Sequence, residues 1–99
     1  MELKVETANG TARIALSGRL DTNTSSDLDD AIFDCIDDVD SLDLDFAELE
    51  FVSSAGLRVL MRALDAMEEK GGGMVVRNVC ENVMEVFEAT ALDTLFDIR

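Results

Sequence analysis

The side chains with the most chemical potential in this chain are Ser53 and Ser54, within the run Leu42-Asp-Leu-Asp-Phe-Ala-Glu-Leu-Glu-Phe-Val-Ser-Ser-Ala-Gly-Leu-Arg-Val-Leu60. An alternating apolar strand leads through a short loop to the two serines. Apolar residues then fall at Leu57, Leu60, Met61, Leu64 and Met67, one face of a 3.6-residue period. The serines therefore stand at a helix N-terminus. There a hydroxyl oxygen can accept from the unpaired N–H groups of the first turn, which is ordinary capping. The same N–H groups, with the positive end of the helix dipole, would equally receive a phosphate esterified to Ser54. Local physics leaves both roles open, a plain cap and a modifiable serine.

Most other chemistries are excluded. The chain has no histidine, so neither a Ser-His-Asp nor a Cys-His arrangement can be built, and Ser54 lacks the Gly-x-Ser-x-Gly elbow of hydrolases. Aspartates crowd the segment from Asp27 to Asp45. Within it, Asp38-Val-Asp40-Ser-Leu-Asp43 has part of a calcium-loop spacing, but no glycine at the sixth position, and it runs straight into a strand. These carboxylates read as a solvated helix face and strand edge. Gly71-Gly-Gly73 follows a helix and precedes a strand, the reverse of a phosphate loop, and reads as a turn. Cys35 and Cys80 fit apolar helical patterns and read as small core or boundary residues, not as a disulfide or metal ligands. Met61 and Met67 read as core filling. No metal, cofactor or small-molecule substrate is expected.

Charge narrows the partners. Twenty-two acidic residues against 8 basic give a net charge of −14 over 99 residues. That surface repels nucleic-acid phosphates and anionic lipids, and suits a partner with a basic face through faster encounter. It also serves solubility in its own right. At 47% hydrophobic residues the chain can form a core, yet no apolar run approaches the roughly 18–20 residues of a membrane span. The first residues enter a strand pattern directly, without a basic, then apolar, leader. A cytoplasmic protein is expected.

The elements that position the serines are legible in outline. Leu3, Val5 and Thr7 alternate with polar neighbours, as do Ala12, Ile14 and Leu16 after Asn9-Gly10, which predicts a hairpin. Thr24-Ser-Ser-Asp27 has the form of a capping box and opens a helix ending near Asp37. Leu42, Leu44 and Phe46 mark a third strand, with Asp43 and Asp45 suggesting a sheet face partly open to water. A helix from about Ala55 runs to Gly71, Met74–Arg77 form a short strand, and Val79, Val83, Val86 and Phe87 share one face of a further helix. Leu92 to Ile98 closes the chain. The order β-β-α-β-α-β-α, without proline, linker or repeat, predicts one α/β domain over 1–99. Its mixed sheet has four to five strands, the first antiparallel and the rest mainly parallel, packed by three to four helices.

Three segments, in this order, resemble one family. Phe51-Val-Ser-Ser-Ala-Gly-Leu-Arg-Val-Leu60 is similar to the central motif of the STAS family, the anti-sigma-factor antagonists of bacterial partner-switching systems. Gly18-Arg-Leu-Asp-Thr-Asn-Thr24 resembles the turn after that family's second strand, and Val86-Phe-Glu-Ala-Thr-Ala-Leu-Asp-Thr-Leu-Phe-Asp-Ile98 its C-terminal helix and final segment. The resemblance implies a STAS-like fold and a non-enzymatic binding protein. Its partners would be an anti-sigma factor with serine kinase activity, bound in the unphosphorylated state, and a resetting serine phosphatase. The implied phosphoacceptor is Ser54. Ser53 is a second candidate, standing where the family has an aspartate. Implied partner-binding residues are Asp21, Thr22, Asn23, Asp45, Ser53, Ser54, Ala55, Gly56, Leu57 and Arg58. The alternative is a phosphorylation-independent STAS module of a transporter or larger signalling complex.

Overall fold

The computed structural model describes residues 1–99. Asn9 and Gly10 adopt positive φ values of +53° and +79°, the conformation of a type I′ turn. They join β1 (Glu2–Ala8) to β2 (Thr11–Leu20), which pair antiparallel from Ala8↔Thr11 to Glu2↔Ser17. There follow α1 (Ser25–Cys35), a 3₁₀ turn (Ile36–Asp38), β3 (Ser41–Val52), α2 (Ser54–Glu69) and β4 (Gly73–Arg77). The chain ends with α3 (Glu81–Ala89), a second 3₁₀ turn (Leu92–Thr94) and β5 (Asp97–Ile98). The five strands lie in the order β1-β2-β3-β4-β5, and every pair after the first is parallel. The mixed sheet is thus as expected, with a fifth strand of only two residues.

Register assigns the two faces. Ala12, Leu42 and Met74 form one cross-strand row, and Ile14, Leu44 and Val76 the next. All are buried, and the helices cover them with Leu28, Ile32, Leu57, Leu60, Ala63, Met67, Val83 and Phe87. Phe46, Phe87 and Phe96 continue the core, the last two meeting edge-on at 5.3 Å. The alternate positions Arg13, Asp43, Asp45 and Arg77 occupy the opposite face, which no helix covers, and Arg77 Nε donates to Asp43 Oδ2 at 2.9 Å. The partly open face expected from Asp43 and Asp45 is there.

Two expectations are corrected. The stretch from Ala47 to Glu50 is not a loop but part of a 12-residue β3. Its pairing with β2 slips twice, after Ala15↔Asp45 and after Gly18↔Leu49, each time with one extra residue on β3. Such bulges change the phase of the alternation and turn Leu49 and Val52 into the core. Met61, expected inside, is 42% exposed, while Val59 and Ala63 are buried. The buried stripe of α2 is therefore rotated from the one the large apolar residues suggested.

The link between α1 and β3 is held from α2. The Lys70 ammonium donates to the carbonyls of Ile36 and Val39, satisfying the end of the preceding helix. Beside it, Gly72 passes so close to the backbone that an added Cβ would sit 2.3 Å from the Asp40 carbonyl oxygen, whereas at Gly73 it would meet nothing within 4 Å. Gly72→Ala should therefore destabilise the protein by about 1–3 kcal/mol, the range for overpacking. Gly73→Ala should leave chemical denaturation curves almost unchanged.

Candidate functional site: the loop pair at the end of β2 and β3

Leu20 and Val52, the last residues of β2 and β3, are register partners, and the Ser53 N–H donates to the Leu20 carbonyl at 2.8 Å. Parallel pairing thus delivers two loops to the same edge of the sheet, at the carboxyl ends of its strands. This is where open α/β sheets expose irregular backbone. One loop is Asp21–Thr24 and the other is Ser53 with the first turn of α2.

The first loop is organised by Asp21. Its Oδ1 accepts from the N–H groups of Asn23 and Thr24, both at 3.0 Å, and its carbonyl accepts the Ser25 N–H at 2.8 Å. The Thr24 hydroxyl accepts from the Asp21 N–H at 2.9 Å and lies 2.8 Å from the Arg19 carbonyl. The expected Thr24–Asp27 capping box does not form, because Thr24 has helical φ and ψ and its hydroxyl turns back into the loop. Asp21 takes over the capping of the turn. The Thr24 N–H on its carboxylate, assisted by Asn23 and Arg19, holds the Asp21 pKa below the usual value.

In the second loop the two serines part ways. Ser53 is the N-cap, extended in backbone, with its Oγ accepting from the Gly56 N–H at 3.2 Å. Ser54 is the first helical residue and is exposed. Its position leaves the hydroxyl at the mouth of the helix N-terminus, beside first-turn N–H groups that have no carbonyl four residues earlier in the helix. Arg58, also exposed, stands one turn further along the same side. Gly56 is buried because α2 descends directly onto the sheet. A Cβ there would lie 2.7 Å from Leu20 Cγ and 3.0 Å from Val52 Cγ2.

The structure brings Asp21, Thr22, Asn23 and the segment Ser53–Arg58 to one end of the molecule, but not Asp45. That residue precedes Val52 by seven positions, roughly 20 Å along the strand. It lies on the open face, where Oδ1 accepts from Asn78 Nδ2 and from the Ala47 N–H, each at 3.0 Å. The Asn78 hydrogen bond, then the Ala47 one, lowers its pKa. Asp45 secures the first bulge of β3. Missed by the sequence reading was Arg19, whose guanidinium stacks over Phe51 at 4.2 Å from the ring centroid and flanks the tip. The signal was slight: cross-strand pairing of Arg19 with Phe51 depends on a register shifted by two bulges.

A family model described as "Mlab, STAS domain" matches residues 3–97. The chain belongs to the STAS-domain family. Among solved structures this STAS domain is similar to an anti-sigma factor antagonist from Mycobacterium paratuberculosis, at 27% identity and a TM-score of 0.83, covering 98% of this chain and 83% of that one. It is similar in fold to the anti-sigma factor antagonist SpoIIAA in its unphosphorylated form, at 21% identity and a TM-score of 0.75, covering 95% and 97% of the two chains. The Bacillus cell fate determinant SpoIIAA in the phosphorylated form matches at 21% identity with a TM-score of 0.78, covering 99% and 91%. A search of the curated proteins returns no match.

Two outcomes follow from the packing of this STAS domain at its tip. Gly56→Ala should lower the melting temperature by several degrees. Overpacking against the fully buried Leu20 is worth about 1–3 kcal/mol, against a gain in helix propensity of about 1 kcal/mol. Stability contributed by Asp21 is complete above its ordinary carboxylate value of 3.8 and lost as pH falls below that, through the depressed native value. In Asp21→Ala, denaturation midpoints measured above and below that pH should lie closer together than in the wild type.

Proposed function

We propose that this protein is a cytoplasmic bacterial anti-sigma-factor antagonist, a binding protein rather than an enzyme, working without metal or cofactor. Its unphosphorylated form docks through the Asp21–Asn23 loop and Ser53–Arg58 on an anti-sigma factor with serine kinase activity, freeing the sigma factor. Phosphorylation of Ser54 releases the complex, and a serine phosphatase resets it. The observation that carries this reading is the exposed Ser54 at the first position of α2, beside the Asp21 turn, with the Ser53 hydroxyl already engaged by Gly56.

The physics of the switch is local. A phosphate adds about −1.5 to −2 charges, which the helix N-terminus tolerates within the free protein. At a docked surface the same charge loses its water and meets any acidic groups of the partner, so affinity falls without refolding. The net charge of −14 acts at longer range, speeding encounter with a partner of net positive charge.

A second reading keeps the same surface without the switch, as a STAS module of a transporter or larger signalling complex. It is favoured by Ser53, which stands where antagonists of this family carry an aspartate.

The deciding experiment incubates the protein with a kinase-type anti-sigma factor encoded nearby and Mg-ATP, and locates phosphate by mass spectrometry. Phosphate on Ser54 is expected, with Ser54→Ala binding constitutively and Ser54→Asp binding more weakly by about tenfold or more. Phosphate on Ser53 moves the site. No phosphate, from a kinase active on another antagonist, together with equal binding by both Ser54 variants, establishes the second reading.

A further inference from the structure

The helices leave one strand uncovered. On β1, Leu3, Val5 and Thr7 point to the helical side of the sheet, opposite Leu16, Ile14 and Ala12. Those three β2 partners are buried or nearly so, yet Val5 is 45% exposed and Thr7 is exposed too. The backbone of β1 is equally unpaired on its outer side. A two-residue turn makes Ala8↔Thr11 a hydrogen-bonded pair, so by alternation the even-numbered residues of β1 bond to β2. The N–H and C=O groups of Leu3, Val5 and Thr7 therefore face outward, a row of free donors and acceptors.

We infer that this edge pairs with the same edge of a second copy of the chain, antiparallel and centred on Val5↔Val5. That register makes Val5 a doubly hydrogen-bonded pair with its symmetry mate and sets Leu3 opposite Thr7. It also places Lys4 opposite Glu6 twice, in the closer, non-hydrogen-bonded positions. Charge selects it over its neighbours. Sliding two residues one way sets Lys4 against Lys4 and Glu2 against Glu6. Sliding the other way sets Glu6 against Glu6. Only the central register continues the pattern of the open face, where Asp43, Arg13 and Glu6 already alternate in sign along one cross-strand row. Lys4 of the second copy supplies the next positive member.

The result is a ten-stranded sheet with all helices on one side and a two-fold axis perpendicular to it at Val5. The two tips then point to opposite ends, and neither is covered. The contact is small, and two chains of −14 repel at long range, so association is concentration-dependent and of the weak class.

Sedimentation equilibrium of the full chain, at about 0.15 M and about 1 M salt, reads the monomer–dimer balance. A dimer is expected, and Lys4→Glu should raise its dissociation constant by about tenfold, since two attractive cross-strand pairs become repulsive together. Adding Glu6→Lys to that variant should restore dimerisation by exchanging the signs. Val5→Pro should give a monomer with little change in thermal unfolding, because the lost N–H faces outward and edge strands tolerate proline. A monomer at all concentrations would show that Glu2, Lys4 and Glu6 only guard the edge, and would overturn the proposal. So would a dimer indifferent to Lys4→Glu.

Discussion

Helix α2 lies so close to the end of β2 that no side chain fits between them, and the position of Gly56 against Leu20 and Val52 fixes everything at the tip. Because the helix starts in contact with the sheet, its first turn projects beyond the strand ends. Ser53 bridges backwards, donating its N–H to Leu20 and accepting from Gly56 through its hydroxyl. The chain leaving β2 is held at the same level by that N–H bond, so the Asp21 turn is built against a fixed neighbour. A larger residue at 56 would lift the helix, part the two loops and separate Ser54 from Asp21–Asn23. The motif glycine is thus a spacing element, needed for its missing methyl group and not for an unusual backbone angle.

Electrostatically the molecule has two characters. Acidic residues dominate overall, but the tip carries Arg19, fixed by Phe51, and the exposed Arg58 one turn after Ser54. The open face instead balances its charges internally, Arg77 with Asp43 and Arg13 with Asp45 at 3.6 Å. Individually such half-exposed pairs contribute little to stability. Their order along the rows gives the face a pattern that a uniform acidic surface would lack. The thiols take no part in this. Burial pushes the Cys35 pKa up, and the Sγ of Cys80 donates to the Leu49 carbonyl at 3.3 Å.

Periodicity and turn chemistry made the elements legible, and their failures are instructive. Asn9-Gly10 gave the hairpin because few other dipeptides adopt two successive positive φ values. The alternation of Leu42, Leu44 and Phe46 marks β3, but it ends at Ala47. Two bulges there reset the phase, and a bulge has no signature in simple alternation. Thr24 had the right spacing for a capping box, yet Asp21, three residues earlier, offered its carboxylate to the Thr24 N–H that the Asp27 side chain would have taken. Met61 looked buried because it is large and apolar, while the face actually inside is set by the tight approach at Gly56. For the tip, the serines, the glycine and the Asp21 turn were all visible in the sequence. Their grouping on one face came with the family resemblance, since adjacency depends on strand order, and Asp45 was grouped with them although it lies before both bulges, on the open face of the sheet.

Strand order equals sequence order throughout this sheet, and no strand enters between two others. As the chain leaves the ribosome, each new strand can therefore add to an edge that is already exposed, and its crossover helix can close over the row just completed. Growth is one-directional, from the β1–β2 hairpin outward, with no earlier pairing to undo. The last additions, α3 and the two-residue β5, form the far border, the region where transient opening should begin.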